Sequence, residues 1–393
     1  MGFIHRAARI GGILTLSSLG VFLAGEGVAR AFELAPPPRG DSKILRVVTG
    51  RASEAQAPGV GRVLKPGTEE SHVYVDRRGL ERRVTYRINS VGIRDREVGR
   101  EKPEGLFRVC AVGDSFTFGT AIEVEETWPK ALERALRRDL ATPDVEVLNC
   151  GLEALNLPQQ AALLANRIVH LEPDLVVLCV YINDASGRGI QPPELPVRLR
   201  SRMEWVSKLG LTSGVWAAGE ELNAAQRRMM SLRRSSHLAD FCAHRLYRAL
   251  YGSVKEESYR RDWSPGSEGH EAARAALRRI RDLARDEGFP VHVVMYPVIC
   301  DLGADYPYRA EHGVVGGMCA ELGLAFTDLL EALVGRHRSE LQAHEHDAHP
   351  NGTANELVAS YLAPELLPSI ALASAAAGPD RLHPTARAAG RER

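Results

Sequence analysis

A serine hydroxyl becomes a useful nucleophile only when a base takes its proton and a third group holds that base in place. The chain offers these residue types far apart in sequence. Ser115 stands in Gly113-Asp114-Ser115, directly after the apolar run 106–112 and ahead of an amphipathic helical pattern. A serine placed so sits on the turn leaving the carboxyl end of a strand, where open α/β sheets bind their ligands. His349 stands in Asp347-Ala348-His349-Pro350-Asn351, with a carboxylate two residues before it. Between them, Asn149-Cys150-Gly151 and Tyr181-Ile182-Asn183-Asp184 each close a further apolar run. Taken singly, each block has a plain reading: Gly-Asp-Ser as a turn, Gly151 as a strand-ending glycine, Asn183 as a cap. Their order, each at the end of a strand-like run or in a late loop, sets them apart.

With Ser115, Gly151, Asn183 and His349 in that order, the chain resembles the SGNH (GDSL-type) hydrolases. It is closest to the bacterial subset with an N-terminal hydrophobic segment, and the resemblance spans about residues 86–365. It implies a three-layer αβα fold around a mainly parallel, flavodoxin-like five-stranded sheet, and a serine esterase or acyl hydrolase that needs no cofactor. Ser115 would be the nucleophile, His349 the general base and Asp347 the carboxylate that orients it. The oxyanion donors would be the backbone N–H groups of Ser115 and Gly151 and the side-chain amide of Asn183, with Asp114 and Asp184 in support. The more usual family spacing puts the acid three residues before the histidine, where this chain has His346, so Glu345 is the alternative acid. The same machinery could pass an acyl group to a sugar hydroxyl, as an O-acyltransferase of envelope glycans, or survive in a non-catalytic envelope-binding module. No Gly-x-Ser-x-Gly occurs, which excludes the α/β-hydrolase elbow.

The stretch from His344 to His349 crowds three imidazoles and two carboxylates and raises the question of a metal. His-Glu-x-x-His fails, because the residue three after Glu345 is Ala348. His344, His346 and His349 cannot share one helical face, so the expectation is solvated loop histidines and no metal.

Strands are expected over 106–112, 145–149, 175–182, 291–296 and 325–329. The third of these is nearly all apolar, as a strand buried on both faces must be. Helical patterns lie over 128–136, with Thr127 as cap and Pro129 in the first turn, and over 158–171, 272–286 and 353–362. Strand and helix in alternation imply βαβ units and a parallel sheet. Residues 185–265 interrupt the rhythm with a helical insertion carrying Trp205 and Trp216, read as a substrate-shaping lid or a packing subdomain. Residues 61–104 predict a small β-containing extension. It leads into Asn89-Ser90-Val91-Gly92-Ile93-Arg94, an approach similar to one in the same family subset, to which the sequence attaches no role.

At 393 residues and 44% hydrophobic content, the chain is long enough for one large α/β core and an appendage. Fifty basic residues balance fifty acidic ones, so charge points to no nucleic-acid partner. The partners expected are a small-molecule, lipid or glycan ester and, through the N-terminus, a membrane. None of the six cysteines forms Cys-x-x-Cys; Cys110 and Cys179 read as buried thiols, and pairing of Cys300 with Cys319 stays open. His5, Arg6 and Arg9 precede an apolar run over 10–24, and Ala29-Arg30-Ala31 offers small residues at cleavage-like spacing. That pattern predicts an export signal or a membrane anchor over 1–34, against a competing reading as a core helix, and puts the hydrolase domain (105–369) outside the cytoplasm. A Pro- and Gly-rich linker over 35–60 and a disordered tail over 370–393 complete the expected organisation.

Overall fold

The computed structural model describes residues 21–29, 31, 45–47, 53–75, 81–185, 228, 232, 236, 238–239, 242, 253–344 and 347–377. The chain divides into two compact units. The larger comprises Leu45–Val73, Arg83–Pro193 and Ser258–Arg393; the smaller comprises Met1–Ile44, Tyr74–Arg82 and Glu194–Glu257.

Five short strands come first. β1 (Leu45–Val47), β4 (Thr68–Val75) and β5 (Glu81–Ile88) form one sheet in the order β1-β4-β5, and β2 (Ser53–Ala57) pairs with β3 (Gly61–Leu64) as a hairpin. The main sheet follows: β6 (Phe107–Val112), β7 (Val145–Asn149), β8 (Leu175–Val180), β9 (Val291–Met295) and β10 (Ala325–Asp328). Its order is β10-β9-β8-β6-β7, and every neighbouring pair is parallel. Counted from β6, this is the flavodoxin-like order 2-1-3-4-5, with its switch point between β6 and β8. The chain leaves those two strands in opposite directions and opens a crevice at their carboxyl ends. Every residue of β6, β7, β8 and β9 is buried; β8 is accordingly apolar throughout, while Arg108, Glu146 and His292 are polar residues buried within the other three.

The α-helices from β6 onward are α1 (Ser115–Phe118), α2 (Trp128–Asp139), α3 (Leu157–Asn166), α4 (Ser253–Trp263), α5 (Glu268–Glu287), α6 (Arg309–Leu322), α7 (Arg338–Leu341) and α8 (Gly352–Ala377); all but the first residues of α4 belong to the larger unit. α2 packs on α8 and α3 on α5, giving the two helical layers that right-handed crossovers place on opposite faces. α2 buries Trp128, Leu132, Ala135 and Leu136, the stripe seen in the sequence. Thr127 is its cap residue, but the hydroxyl turns back to donate to the Val124 carbonyl at 2.7 Å instead of capping α2.

Four boundaries differ from expectation. The pattern over 158–171 breaks into α3 and a 3-10 turn, Ile168–Leu171, whose end residues are both buried and so need the three-residue turn. α5 starts earlier because Ser267 caps it, its Oγ accepting from the His270 N–H at 3.1 Å. α6 was not foreseen, since Gly313, Gly316 and Gly317 argue against a helix. Packing prevails there: a Cβ at Gly316 would already meet the Phe326 ring at 3.1 Å, so the small residue lets the helix approach β10. Finally, α8 runs on to Ala377, so 370–377 is helix and not tail, with Ile370 and Ala373 buried.

Among the described residues one helix, Gly352–Ala373 within α8, is long and apolar enough to cross a membrane, and 44% of its window is buried inside the protein. Ala354, Val358, Ala359, Leu362 and Leu366 are each fully buried, as in the core helix of a globular domain. Of the N-terminal apolar run, residues 10–20 lie outside the described residues and 21–29 are helical. In that smaller unit the buried Glu26 accepts from Ser236 Oγ at 2.7 Å and the Leu238 N–H at 3.0 Å. Most of the expected insertion, Trp205 and Trp216 included, lies outside the described residues, as does 378–393. Cys110 and Cys179 are buried thiols; Cys319 is a buried free thiol, so no bond joins it to Cys300.

Candidate active site

β6 delivers Gly113-Asp114-Ser115 to the carboxyl edge of the sheet. Gly113 leaves no room for a side chain, since a Cβ would stand 2.2 Å from Thr117 Oγ1 and 3.0 Å from the Cys179 carbonyl. Asp114 caps α1 by accepting from the Phe116 N–H at 2.9 Å, and Ser115 opens that single turn. His349 Nε2 lies 2.8 Å from Ser115 Oγ, across 234 residues of sequence. Asp114 Oδ2 is 3.5 Å from the same hydroxyl, too far to compete with the imidazole.

His349 reaches the crevice from the hairpin of β11 (Gln342–His344) and β12 (Asp347–Pro350). Asn351 locks the exit: its N–H donates to the Leu341 carbonyl at 2.7 Å, and its Oδ1 accepts from the Ala354 N–H at 3.0 Å, capping α8. The imidazole centroid is 5.0 Å from that of Phe116, which stacks on Tyr181 at 3.9 Å and leans on Tyr296 at 5.1 Å. These rings form an aromatic wall beside His349. Asp347 is described as the first residue of β12 by its backbone alone, and Glu345 and His346 lie outside the described residues.

Past β7 the chain keeps running beside β6. The Cys150 N–H donates to the Ala111 carbonyl at 2.9 Å and the Leu152 N–H to the Gly113 carbonyl at 3.1 Å. Gly151 is thereby pressed onto α1, where a Cβ would stand 2.2 Å from Phe118 N and 2.6 Å from Thr117 C. Glycine is required because backbone, which cannot step aside, fills that space. Its N–H donates to Asn149 Oδ1 at 3.1 Å. Gly151→Ala should therefore push α1 off its seat. The expected result is a fall in kcat of at least about 100-fold, the penalty for an ångström of misplacement, visible in initial rates of ester hydrolysis. Wild-type kcat in that variant would mean the two turns need not touch.

The third turn follows β8. Asp184 Oδ2 accepts from the Tyr181 N–H and from Gln160 Nε2, each at 3.0 Å, and Trp263 Nε1 holds the Ile182 carbonyl at 2.7 Å. Asp184 thus orders the loop that carries the half-buried Asn183, while burial and the nearby Asp114 push its own carboxyl well above the usual range.

Asp114 is fully buried, and burial raises its pKa from 3.8 to about 6, although the Phe116 N–H and His349 pull it down. Between about pH 4 and 6 the native state then holds a proton that the unfolded chain has lost. Stability falls as pH rises through that window, and above it the full cost of the buried charge is felt. Asp114→Asn keeps an acceptor for the cap and removes the charge. It should unfold with about 1–3 kcal/mol more stability than wild type at pH 8, the margin closing by pH 4. Urea titrations at the two pH values decide it, and a margin independent of pH would refute the assignment.

Three members of the site had no flag in the sequence. Phe116 and Trp263 are single aromatics outside any alternating pattern, and Asn149 looked like a strand end. In the sequence Arg94 is only the last residue of a block to which no role attaches.

Searches against family models and against curated proteins find no match. Solved structures do match. One is described as a lipolytic protein of the G-D-S-L family from Desulfitobacterium hafniense DCB-2, with 14% identity, 66% of this chain and 99% of that chain covered, and a TM-score of 0.37. Another is a catalytic mutant of an acetylxylan esterase from Geobacillus stearothermophilus, with 13% identity, 67% and 94% covered, and a TM-score of 0.40. A third is TesA, with 17% identity, 66% and 98% covered, and a TM-score of 0.38.

Proposed function

We propose that the protein is a serine ester hydrolase of SGNH type. The observation that carries the reading is the 2.8 Å contact between Ser115 Oγ and His349 Nε2, at the switch point of a parallel sheet. His349 takes the Ser115 proton as the oxygen attacks the ester carbonyl, then returns it to the leaving alcohol. Charge grows on the carbonyl oxygen in that step. The donors to meet it are the N–H groups of Ser115 and Gly151 and the side-chain amide of Asn183. Water then attacks the acyl–Ser115 ester, giving a proton to His349, which returns it to Ser115 Oγ as that bond breaks and the acid leaves. Asp347 fixes the imidazole tautomer and supports the imidazolium. The substrate is an oxygen ester with a short acyl group on a glycan or lipid, and the domain acts outside the cytoplasm behind its N-terminal segment.

Labelling with a fluorophosphonate probe tests the reading directly. Ser115 should be the modified residue, and p-nitrophenyl esters of increasing chain length should be hydrolysed with a preference that reports the acyl pocket. An intact protein that neither takes the probe nor cleaves any ester of the series would show the site to be non-catalytic.

A further inference from the structure

We propose that Arg94 is a positioning residue for the nucleophile, acting through the far end of α1. The inference rests on the hydrolase reading above and assigns work to the Asn89–Asp95 stretch. Arg94 is 1% exposed. Its Nη1 donates to the carbonyls of Phe118 at 2.8 Å and Gly119 at 2.6 Å, and its Nη2 to the Ile122 carbonyl at 2.6 Å. The guanidinium also lies 4.4 Å from the centroid of Tyr86 and 5.0 Å from that of Phe118.

α1 needs such help. A one-turn helix leaves its last carbonyls without partners along the chain, and a cation at that end meets both the carbonyls and the helix dipole. The segment beyond is strained as well: Ala121 holds a φ of 67°, and its N–H is caught by Tyr86 Oη at 2.9 Å. Arg94 and the ring it stacks on therefore clamp a turn that would otherwise relax, and Ser115 is the first residue of that turn.

The loop that presents Arg94 is itself fixed. Asn89 Oδ1 accepts from the N–H groups of Val91 at 3.2 Å and Ile93 at 3.1 Å, and Gly92 takes a φ of 85°. The next residue serves the other turn, Asp95 Oδ2 accepting from the Asn149 N–H at 2.8 Å while Lys130 Nζ neutralises its partner oxygen at 2.9 Å. Consecutive residues thus hold the nucleophile turn and the turn that presents Gly151, and the two turns are in backbone contact at Phe118. The distance between hydroxyl and oxyanion donors is set from this loop.

The test uses the full chain with p-nitrophenyl acetate as substrate and a fluorophosphonate as the serine probe. In Arg94→Ala, kcat should fall about 100-fold with KM within about two-fold, since the loss is one of alignment and not of substrate contact. The rate of Ser115 phosphonylation should fall with kcat. Added methylguanidine should refill the gap and restore kcat at least about ten-fold, while Ser115→Ala gains nothing. Arg94→Lys should stay well below wild type, because an ammonium cannot fork across three carbonyls. Wild-type kcat in a folded Arg94→Ala overturns the proposal, and so does methylguanidine that raises Tm without raising kcat. If Arg94→Ala does not fold, Arg94→Lys decides, and wild-type kcat there overturns it too. An inactive wild type in which the probe does not reach Ser115 would instead sink the hydrolase reading.

Discussion

Ser115→Ala is expected to lose ester hydrolysis by about a million-fold while the protein stays folded. The hydroxyl does little in the fold: α1 is capped by Asp114 and clamped by Arg94, and neither bond involves Ser115 Oγ. In the reaction that oxygen forms the new bond. His349→Ala should cost about as much, and the double variant little more than either, because members of one proton-transfer unit fail together. Initial rates with p-nitrophenyl acetate, beside far-UV circular dichroism of each variant, give both halves of the result. A Ser115→Ala protein retaining most of the wild-type rate would require a different nucleophile.

The second large effect is expected at Asp347. Asp347→Asn keeps the shape but presents a donor where the imidazole needs an acceptor, so the unproductive tautomer gains, at up to about 10,000-fold in kcat. The backbones of Asp347 and His349 both lie in β12. Glu345→Gln, by this account, is mild. Both variants are compared at about pH 8, above the ordinary histidine pKa of about 6.5, so that the base starts neutral. A crippled Glu345→Gln beside a normal Asp347→Asn would move the acid, and two mild variants would leave a Ser115–His349 dyad.

The main sheet was legible in the sequence to within two residues at every strand end, because β6 to β9 are buried on both faces and read as mainly apolar runs. The blocks at Ser115, Gly151 and Asn183 were legible for a related reason: each sits where such a run stops. What escaped is what depends on distant packing. α6 hid behind its glycines, whose use is visible only against the Phe326 ring. The end of α8 shows no helical period because its exposed side is apolar too, Leu367 and Leu372 included, and Pro364 and Pro368 sit within it. Arg94 was one of fifty basic residues until the fold turned it inward onto three carbonyls. The Asn89 and Gly92 that aim it were noticed as a block, but an arginine gives no sign in sequence of what its fork will hold.

One contact carries a lesson about when the molecule becomes reactive. His349 meets Ser115 across 234 residues, from the β11–β12 hairpin, which follows all five strands of the main sheet in sequence. Two residues after His349 comes Asn351, which caps α8, and α8 closes the core against α2. A chain with its sheet assembled but this segment undocked holds a serine with no base, and an open hydrophobic face. Docking of this segment is therefore expected to bring the Ser115–His349 contact and burial of that face together, late because the contact order is high. During refolding, recovered activity should trail the helical signal and coincide with loss of exposed apolar surface, so a half-folded hydrolase is an inert one.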